Sequence, residues 1–256
     1  MERLSHGEAF VCQATSKEKR EQMFQDKVVI ITGGAQGIGQ ALCQEFTKLG
    51  AKVGLIDQQA NTYFQGDLAD VEVLRQFADK VIRDYGGVDL LINNAAPLFK
   101  GLTDCSYEEF NRALSVGVTA PFMLSKLFAA HFKPGASIIN ISSTRDRMSQ
   151  AQSESYSAAK GGLSALTRSL AVTLAGRVRV NSISPGWIDT SASGGSESDQ
   201  RQHPVQRIGT VEDVVHAVKF LASDNASFIT GEDLTLDGGM SKLMIYHQDD
   251  GWTYQA

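Results

Sequence analysis

The chain has 256 residues, 42% of them hydrophobic and 21% charged, with a formal net charge of −5. It is long enough to bury a sizeable core, its composition is that of a globular protein, and its acidic balance argues against nucleic acid as a partner. No apolar run has the length of a membrane span or a signal peptide, and Cys12, Cys43 and Cys105 fit neither a disulfide framework nor a metal knuckle. The expectations are a cytoplasmic location, no membrane partner and no metal.

Residues 1–25 are polar and read as an N-terminal extension, in which Thr15 and Glu18 stand at capping-box spacing ahead of a short helix. From 26 to 239 strand and helix alternate. Val28-Val29-Ile30-Ile31 is a β-branched run suited to a strand buried on both faces. A glycine turn follows, then a helical pattern to about Leu49. Val53 to Ile56 reads as the second strand and Tyr63-Phe64 as a weak third. Residues 70–85 place Val71, Leu74, Phe77, Ala78, Val81 and Ile82 on one helical face. Val88 to Ile92 is the fourth strand, a long helix is expected over about 106–132, and Ser137 to Ile141 is the fifth strand. A helix over 154–175, a strand from Val178 to Ile183, a polar stretch over about 189–206, a helix over 210–222 and a strand over 233–237 complete the series. Such alternation implies parallel strands joined by right-handed crossovers. The expected fold is therefore α/β: a single-domain, doubly wound (Rossmann-type) parallel sheet of about seven strands, with helices on both faces. Residues 189–206 follow the sixth strand, at the sheet end where such folds bind ligands, and read as an active-site lid. Residues 240–256 form a C-terminal tail. Its Met244, Ile245, Tyr246, Trp252 and Tyr254 suggest packing on another subunit or on the rim of the active site.

Two stretches carry chemistry. The first strand runs into Thr32-Gly33-Gly34-Ala35-Gln36-Gly37-Ile38-Gly39, a glycine turn that lets a pyrophosphate approach the backbone and the next helix N-terminus. Gly33, Gln36, Gly37, Ile38 and Gly39 are the candidate phosphate cradle. Asp57, 18 positions beyond Gly39, ends the second strand, where an acid can accept hydrogen bonds from ribose hydroxyls and would repel a 2′-phosphate. Neither Gln36 nor Gln58 supplies an offsetting cation, so NAD is expected ahead of NADP. The second stretch is Tyr156-Ser157-Ala158-Ala159-Lys160, whose spacing puts phenol and amine on one helix face. An ammonium beside Tyr156 favours phenolate, which would suit it to exchange a proton with an alcohol oxygen. Asn140-Ile141-Ser142-Ser143 ends the fifth strand, from which the Ser143 hydroxyl can loop back beside that phenol.

Taken together these motifs resemble the short-chain dehydrogenase/reductase family, from about Lys27 to Gly239. The pattern is Thr32-Gly33-x-x-x-Gly37-x-Gly39, Asp67-Leu68, Asn93-Asn94-Ala95-Ala96, Ser143, Tyr156-x-x-x-Lys160, Asn181, Pro185-Gly186 and Asp237-Gly238-Gly239. The resemblance implies catalysis by Ser143, Tyr156 and Lys160. It implies adenine contacts from Asp67 and Leu68, a groove lined by Asn94 and Ala95, and a fourth strand tied down by Asn93. Lys160 would also hold the nicotinamide ribose, Pro185, Ile188 and Thr190 would bracket the carboxamide, and Gly186 would contact the cofactor. Pro204-x-x-Arg207-x-Gly209 resembles the end of the family's lid. Homodimers or homotetramers are common in the family.

Three features depart from that pattern. Ala96 replaces a glycine, and the link Gln58 to Asn61 is too short for a full helix. Gly117 stands where the family has an asparagine that serves proton relay; an asparagine restored there is expected to raise kcat or alter its pH profile if its side chain fits. Arg145 and Arg147 follow Ser143 closely enough to reach a substrate anion, Trp187 is placed to wall the pocket, and His203 reads as a solvated lid residue. The expected activity is hydride transfer between NAD and a small alcohol or carbonyl, with a polyol or sugar as the leading substrate class. A 3-oxoacyl or steroid-type reductase and a cofactor-binding sensor without turnover are the alternatives.

Overall fold

A computed structural model describes residues 23–191, 193–246 and 248–251. The expected capping box at Thr15, together with Trp252 and Tyr254, lies outside them.

Strand β1 (Val28–Thr32) is buried along its whole length. It pairs in parallel with β2 (Lys52–Asp57) on one side and β4 (Val88–Asn93) on the other. With β3 (Phe64–Gln65), β5 (Phe132–Ile141), β6 (Val178–Pro185) and the last strand, Asp233–Leu236, they form a seven-stranded parallel sheet. Its order is β3-β2-β1-β4-β5-β6 and then the last strand. Strand alternation divides the core. Ile30, Leu91, Ile138 and Val180 face Phe77 and Val81 of α2 (Val71–Tyr85). On the other face Val29, Ile31, Ile92, Ile139 and Ile183 pack with Leu42 and Phe46 of α1 (Gly37–Lys48). Each fully buried side chain of this kind contributes about 1.5–3 kcal/mol.

The expected long helix over 106–132 is broken. Helix α3 (Tyr107–Leu114) passes into a π-turn at Ser115–Thr119 and then α4 (Ala120–Phe128). Strand β5 already begins at Phe132, where it pairs with Val88 and then shifts register at a bulge before Leu90. Helix α5 (Glu154–Thr173) carries the tyrosine–lysine pair. The segment after β6 is not formless. Two-residue strands β7 (Ile188–Asp189) and β8 (Gly209–Thr210) pair with each other, with the short helix α6 (Glu197–Arg201) between them. Helix α7 (Val211–Ala222) returns to the sheet, and β9 (Asp233–Leu236) closes it. The link from β2 to β3 contains no helix; Asn61 holds it by accepting the Tyr63 and Phe64 N–H groups at 2.9 Å each. No described helix is long and apolar enough to cross a membrane.

Candidate active site

The strand order turns back on itself between β1 and β4, and the chain leaves their carboxyl ends in opposite directions, which opens a crevice. A cavity of about 810 Å³ lies there. Its floor is the turn from β1 into α1. Gly33 has φ 67°, and a methyl group on it would lie 2.7 Å from the Ala95 Cα, so only glycine lets the loop rest against the end of β4. A methyl on Gly39 would meet the Gly33 carbonyl oxygen at 2.0 Å. Asn94 fastens this contact. Its side-chain amide donates to the Thr32 and Gly33 carbonyls at 3.0 and 2.9 Å, and its N–H donates to Thr32 Oγ1 at 3.0 Å. No side chain caps α1 at Gln36, which leaves the helix's first N–H groups and positive dipole end available to an anion. A diphosphate fits this cradle, and Gln36, Gly37, Ile38 and Gly39 line it.

At the end of β2, the Asp57 carboxylate accepts the Ala35 N–H at 3.0 Å and the Gln59 N–H at 2.9 Å, which fixes it at the cavity wall. Leu68 lines the same end. Asp67 does not belong to that lining: its carboxylate pairs with Arg112 at 2.9 Å and accepts from Gln58 at 3.0 Å. Arg112 itself lines the cavity from α3, a cation that the sequence reading missed because it stands 45 positions from its partner.

Ser143, Tyr156 and Lys160 share another part of the cavity wall with Ala95, Pro185, Gly186, Ile188 and Thr190. Tyr156 sits in the first turn of α5. The neighbouring Ser155 hydroxyl accepts the Lys100 N–H at 2.9 Å and lies 3.0 Å from the Leu98 carbonyl, so it pins that turn to the loop after β4. Lys160 is 2% exposed, and its Nζ donates to the Ile141 carbonyl at 2.6 Å while standing 5.5 Å from the Tyr156 ring centroid. Burial pushes its ammonium down to about 8. Burial likewise pushes the Tyr156 phenol up; the Ser143 hydroxyl and the Arg145 guanidinium pull it back only in part. The expectation that Lys160 makes Tyr156 acidic is thus not met in the protein alone. The amine points at a carbonyl, and both charged forms lose solvation in the same wall. Ser143 Oγ accepts the Arg145 N–H at 3.2 Å and caps the 3₁₀ turn Thr144–Asp146.

A second cavity, of about 620 Å³, opens beyond Tyr156. It shares Ser143, Tyr156, Gly186 and Ile188 with the first and adds Arg145, Met148, Gln150, Trp187, Gln202 and Met240. Arg145 and Trp187 thus line this second cavity. Arg147 does not; it pairs with Asp146 and Asp233.

Comparison with known proteins agrees with this geometry. Residues 33–241 match a family model described as enoyl-(acyl carrier protein) reductase. An uncharacterized oxidoreductase of Thermotoga maritima is 40% identical over 88% of this chain and 100% of its own length. The chain belongs to the short-chain dehydrogenase/reductase family. Among solved members, an apo SCOR enzyme from Clostridium thermocellum is 40% identical, covers 90% of this chain and 99% of its own, and superposes with a TM-score of 0.84. Aldohexose dehydrogenase of Thermoplasma acidophilum, in ligand-free form, is 30% identical over 87% of this chain and 97% of its own, with a TM-score of 0.81. The chain is accordingly an oxidoreductase of that family, acting on CH–OH or carbonyl groups with a nicotinamide cofactor.

Asn93 does tie strands together, donating to Asn140 Oδ1 at 2.8 Å. His203 is 1% exposed, not solvated: its Nδ1 lies 3.0 Å from the Asp199 carbonyl, and the loop at Gly238 packs against its side chain. Gly117 is buried, and a methyl on it would stand 2.8 Å from the Ala159 Cβ and 3.2 Å from the Pro97 Cβ, so an asparagine has no room there as the site stands.

Proposed function

We propose that this chain is an NAD-preferring dehydrogenase that interconverts a small polar alcohol and its carbonyl, with polyols and sugars as the leading substrate class. The observation that carries the reading is the convergence of Ser143, Tyr156 and Lys160 on one wall of a cavity floored by the glycine loop. Gly33, Gln36, Gly37, Ile38, Gly39, Asn94 and Ala95 would hold the diphosphate-bearing part of the cofactor, Asp57 and Leu68 its adenosine half, and Lys160, Pro185, Gly186, Ile188 and Thr190 its nicotinamide half. When bound, the nicotinamide supplies the hydride acceptor or donor. Tyr156 takes or gives the proton at the substrate oxygen, and Ser143 Oγ donates a hydrogen bond to that oxygen. Lys160 orients the ribose beside it.

The NAD preference rests on Asp57, whose charge opposes a 2′-phosphate. The nearby Arg112 cation is already paired with Asp67. The likeness to aldohexose dehydrogenase supports a sugar-like substrate, and a 34% identical relative, the 3-oxoacyl-(acyl-carrier-protein) reductase of Escherichia coli, favours a second reading, a reductase of 3-oxoacyl thioesters. Residues 26–239 are taken as one catalytic domain with 189–206 as its lid, in the cytoplasm. Homo-oligomerisation is proposed because it is common in the family and because the consecutive tail residues Met244, Ile245 and Tyr246 stand exposed in the single chain. A panel of polyols, sugars, hydroxysteroids and 3-hydroxyacyl thioesters, read by NADH and NADPH absorbance, tests the proposal. NADH formation with a polyol or sugar is the expected result. Turnover confined to NADP and acyl thioesters would replace the first reading with the second, and cofactor binding without turnover would favour a sensor.

A further inference from the structure

Among the described residues lining the cavity beyond Tyr156 there is no aspartate or glutamate, and Arg145 is the one charged side chain at neutral pH. Its guanidinium lies 4.7 Å from the centroid of the Phe99 ring and 5.9 Å from that of Tyr156, and those two rings are 5.4 Å apart. It also donates to the side-chain carbonyl of Gln150. Among the described residues no carboxylate lies within ion-pair distance of it. The contrast with its neighbours is informative. Arg147, two residues on, is paired with Asp146 and Asp233, and Arg112 in the adjoining cavity is paired with Asp67. Arg145 is thus held by ring faces and one neutral amide. Stacking orients the planar fork while leaving N–H donors for another acceptor.

We propose that Arg145 binds a carboxylate on the substrate, so that the substrate is a hydroxy acid and its product the corresponding oxo acid. This inference rests on the oxidoreductase reading of the same site and sets hydroxy acids in place of polyols and sugars as its leading substrate class. The guanidinium stands beside the Tyr156 ring, so the carboxylate lies only a few bonds from the reacting carbon. A planar carboxylate matches the arginine fork with two parallel hydrogen bonds. With no acid in the lining, the cavity's own field favours an anion over an uncharged analogue. Trp187 walls the same cavity, and at 43% exposure it also provides an optical report on its filling.

The test uses the full-length protein with NAD and a matched series: α-, β- and γ-hydroxy acids, their amides, and phosphate esters of corresponding diols. The expected result is a kcat/KM for at least one acid that exceeds its amide by about tenfold or more, as a charge-assisted hydrogen bond implies. In Arg145→Gln that ratio should fall towards one, mainly through KM. Titration of the same carboxylates should quench Trp187 fluorescence in the wild type and not in Arg145→Gln, with Trp187→Phe identifying the signal. Turnover of amides as good as that of acids, or a ratio unchanged in Arg145→Gln, overturns the anion site while leaving the dehydrogenase reading standing. A preference for the phosphate esters overturns the choice of carboxylate. Quenching that requires Arg145 without turnover of any compound supports the anion site and counts against the dehydrogenase reading. Neither quenching nor turnover overturns both.

Discussion

Gly117 offers a demanding test of the packing around the site. The structure leaves no space for a side chain there. The nearest obstacle, the Ala159 Cβ at 2.8 Å, belongs to the residue immediately before Lys160, and both are buried. Gly117→Asn must therefore push α5 and the π-turn apart. Overpacking of this kind costs about 1–3 kcal/mol, and the small gain in helix propensity over glycine recovers only a few tenths. For a chain of this size, roughly 2–4 °C per kcal/mol puts the fall in Tm at about 2–10 °C. Displacement of Ala159 also carries Lys160 away from the Ile141 carbonyl, so kcat should fall rather than rise. A double-mutant cycle isolates the contact. Ala159→Gly alone should destabilise by about 1 kcal/mol through helix propensity, yet in the Gly117→Asn background it should be neutral or stabilising. Calorimetry on the four proteins and steady-state kinetics check this. A Gly117→Asn protein with wild-type Tm and equal or higher kcat would refute the reasoning and favour the relay role that the family pattern implies.

Asp57→Ala should narrow the gap between NAD and NADP affinity, which titration of both cofactors would measure; an unchanged preference would remove Asp57 from cofactor choice. Lys160 supplies a pH signature. Burial lowers it to about 8 in the folded chain, below its unfolded value, so the folded state holds fewer protons between those values and wild-type stability rises with pH across that interval. Lys160→Met should thus gain stability relative to wild type near neutrality and lose the advantage as pH rises past about 8, in denaturation midpoints taken at several pH values; a constant difference would contradict it. Deletion from Leu243 onward should weaken the oligomer or raise KM, since Met244 and Tyr246 stand exposed in the single chain and Met240 lines the second cavity. Light scattering and kinetics that both match the full-length protein would exclude either role.

The parts of the fold that were legible in sequence are those where one local signal dominates. The β-branched run of β1, the glycine turn after it and the apolar face of α2 all lie where pattern puts them, because burial on the sheet rewards that pattern directly. The break at Ser115–Thr119 was hidden because a π-turn keeps helical backbone, so the apolar spacing hardly changes across it. Phe132-Lys133-Pro134-Gly135 carries no strand pattern; only Phe132 pairs with β4, opposite Val88, before the register shifts and pairing resumes at Ser137. The site divides in the same way. Glycines, Asp57, Tyr156 and Lys160 sit on regular elements whose spacing fixes them. Arg112 and His203 depend on long-range packing, on Asp67 in one case and the Gly238 loop in the other, which no local spacing encodes. The direction of the Tyr156 shift was missed because it is set by burial, and spacing to Lys160 says nothing about solvent.

The central claim is that Tyr156 exchanges the proton while the cavity binds the cofactor independently of it. The most direct measurement pairs kcat on the best substrate with the NAD dissociation constant for Tyr156→Phe. A fall in kcat of roughly 10²–10⁴-fold with a nearly unchanged Kd is predicted. A phenylalanine variant that turns over at close to the wild-type rate would contradict it.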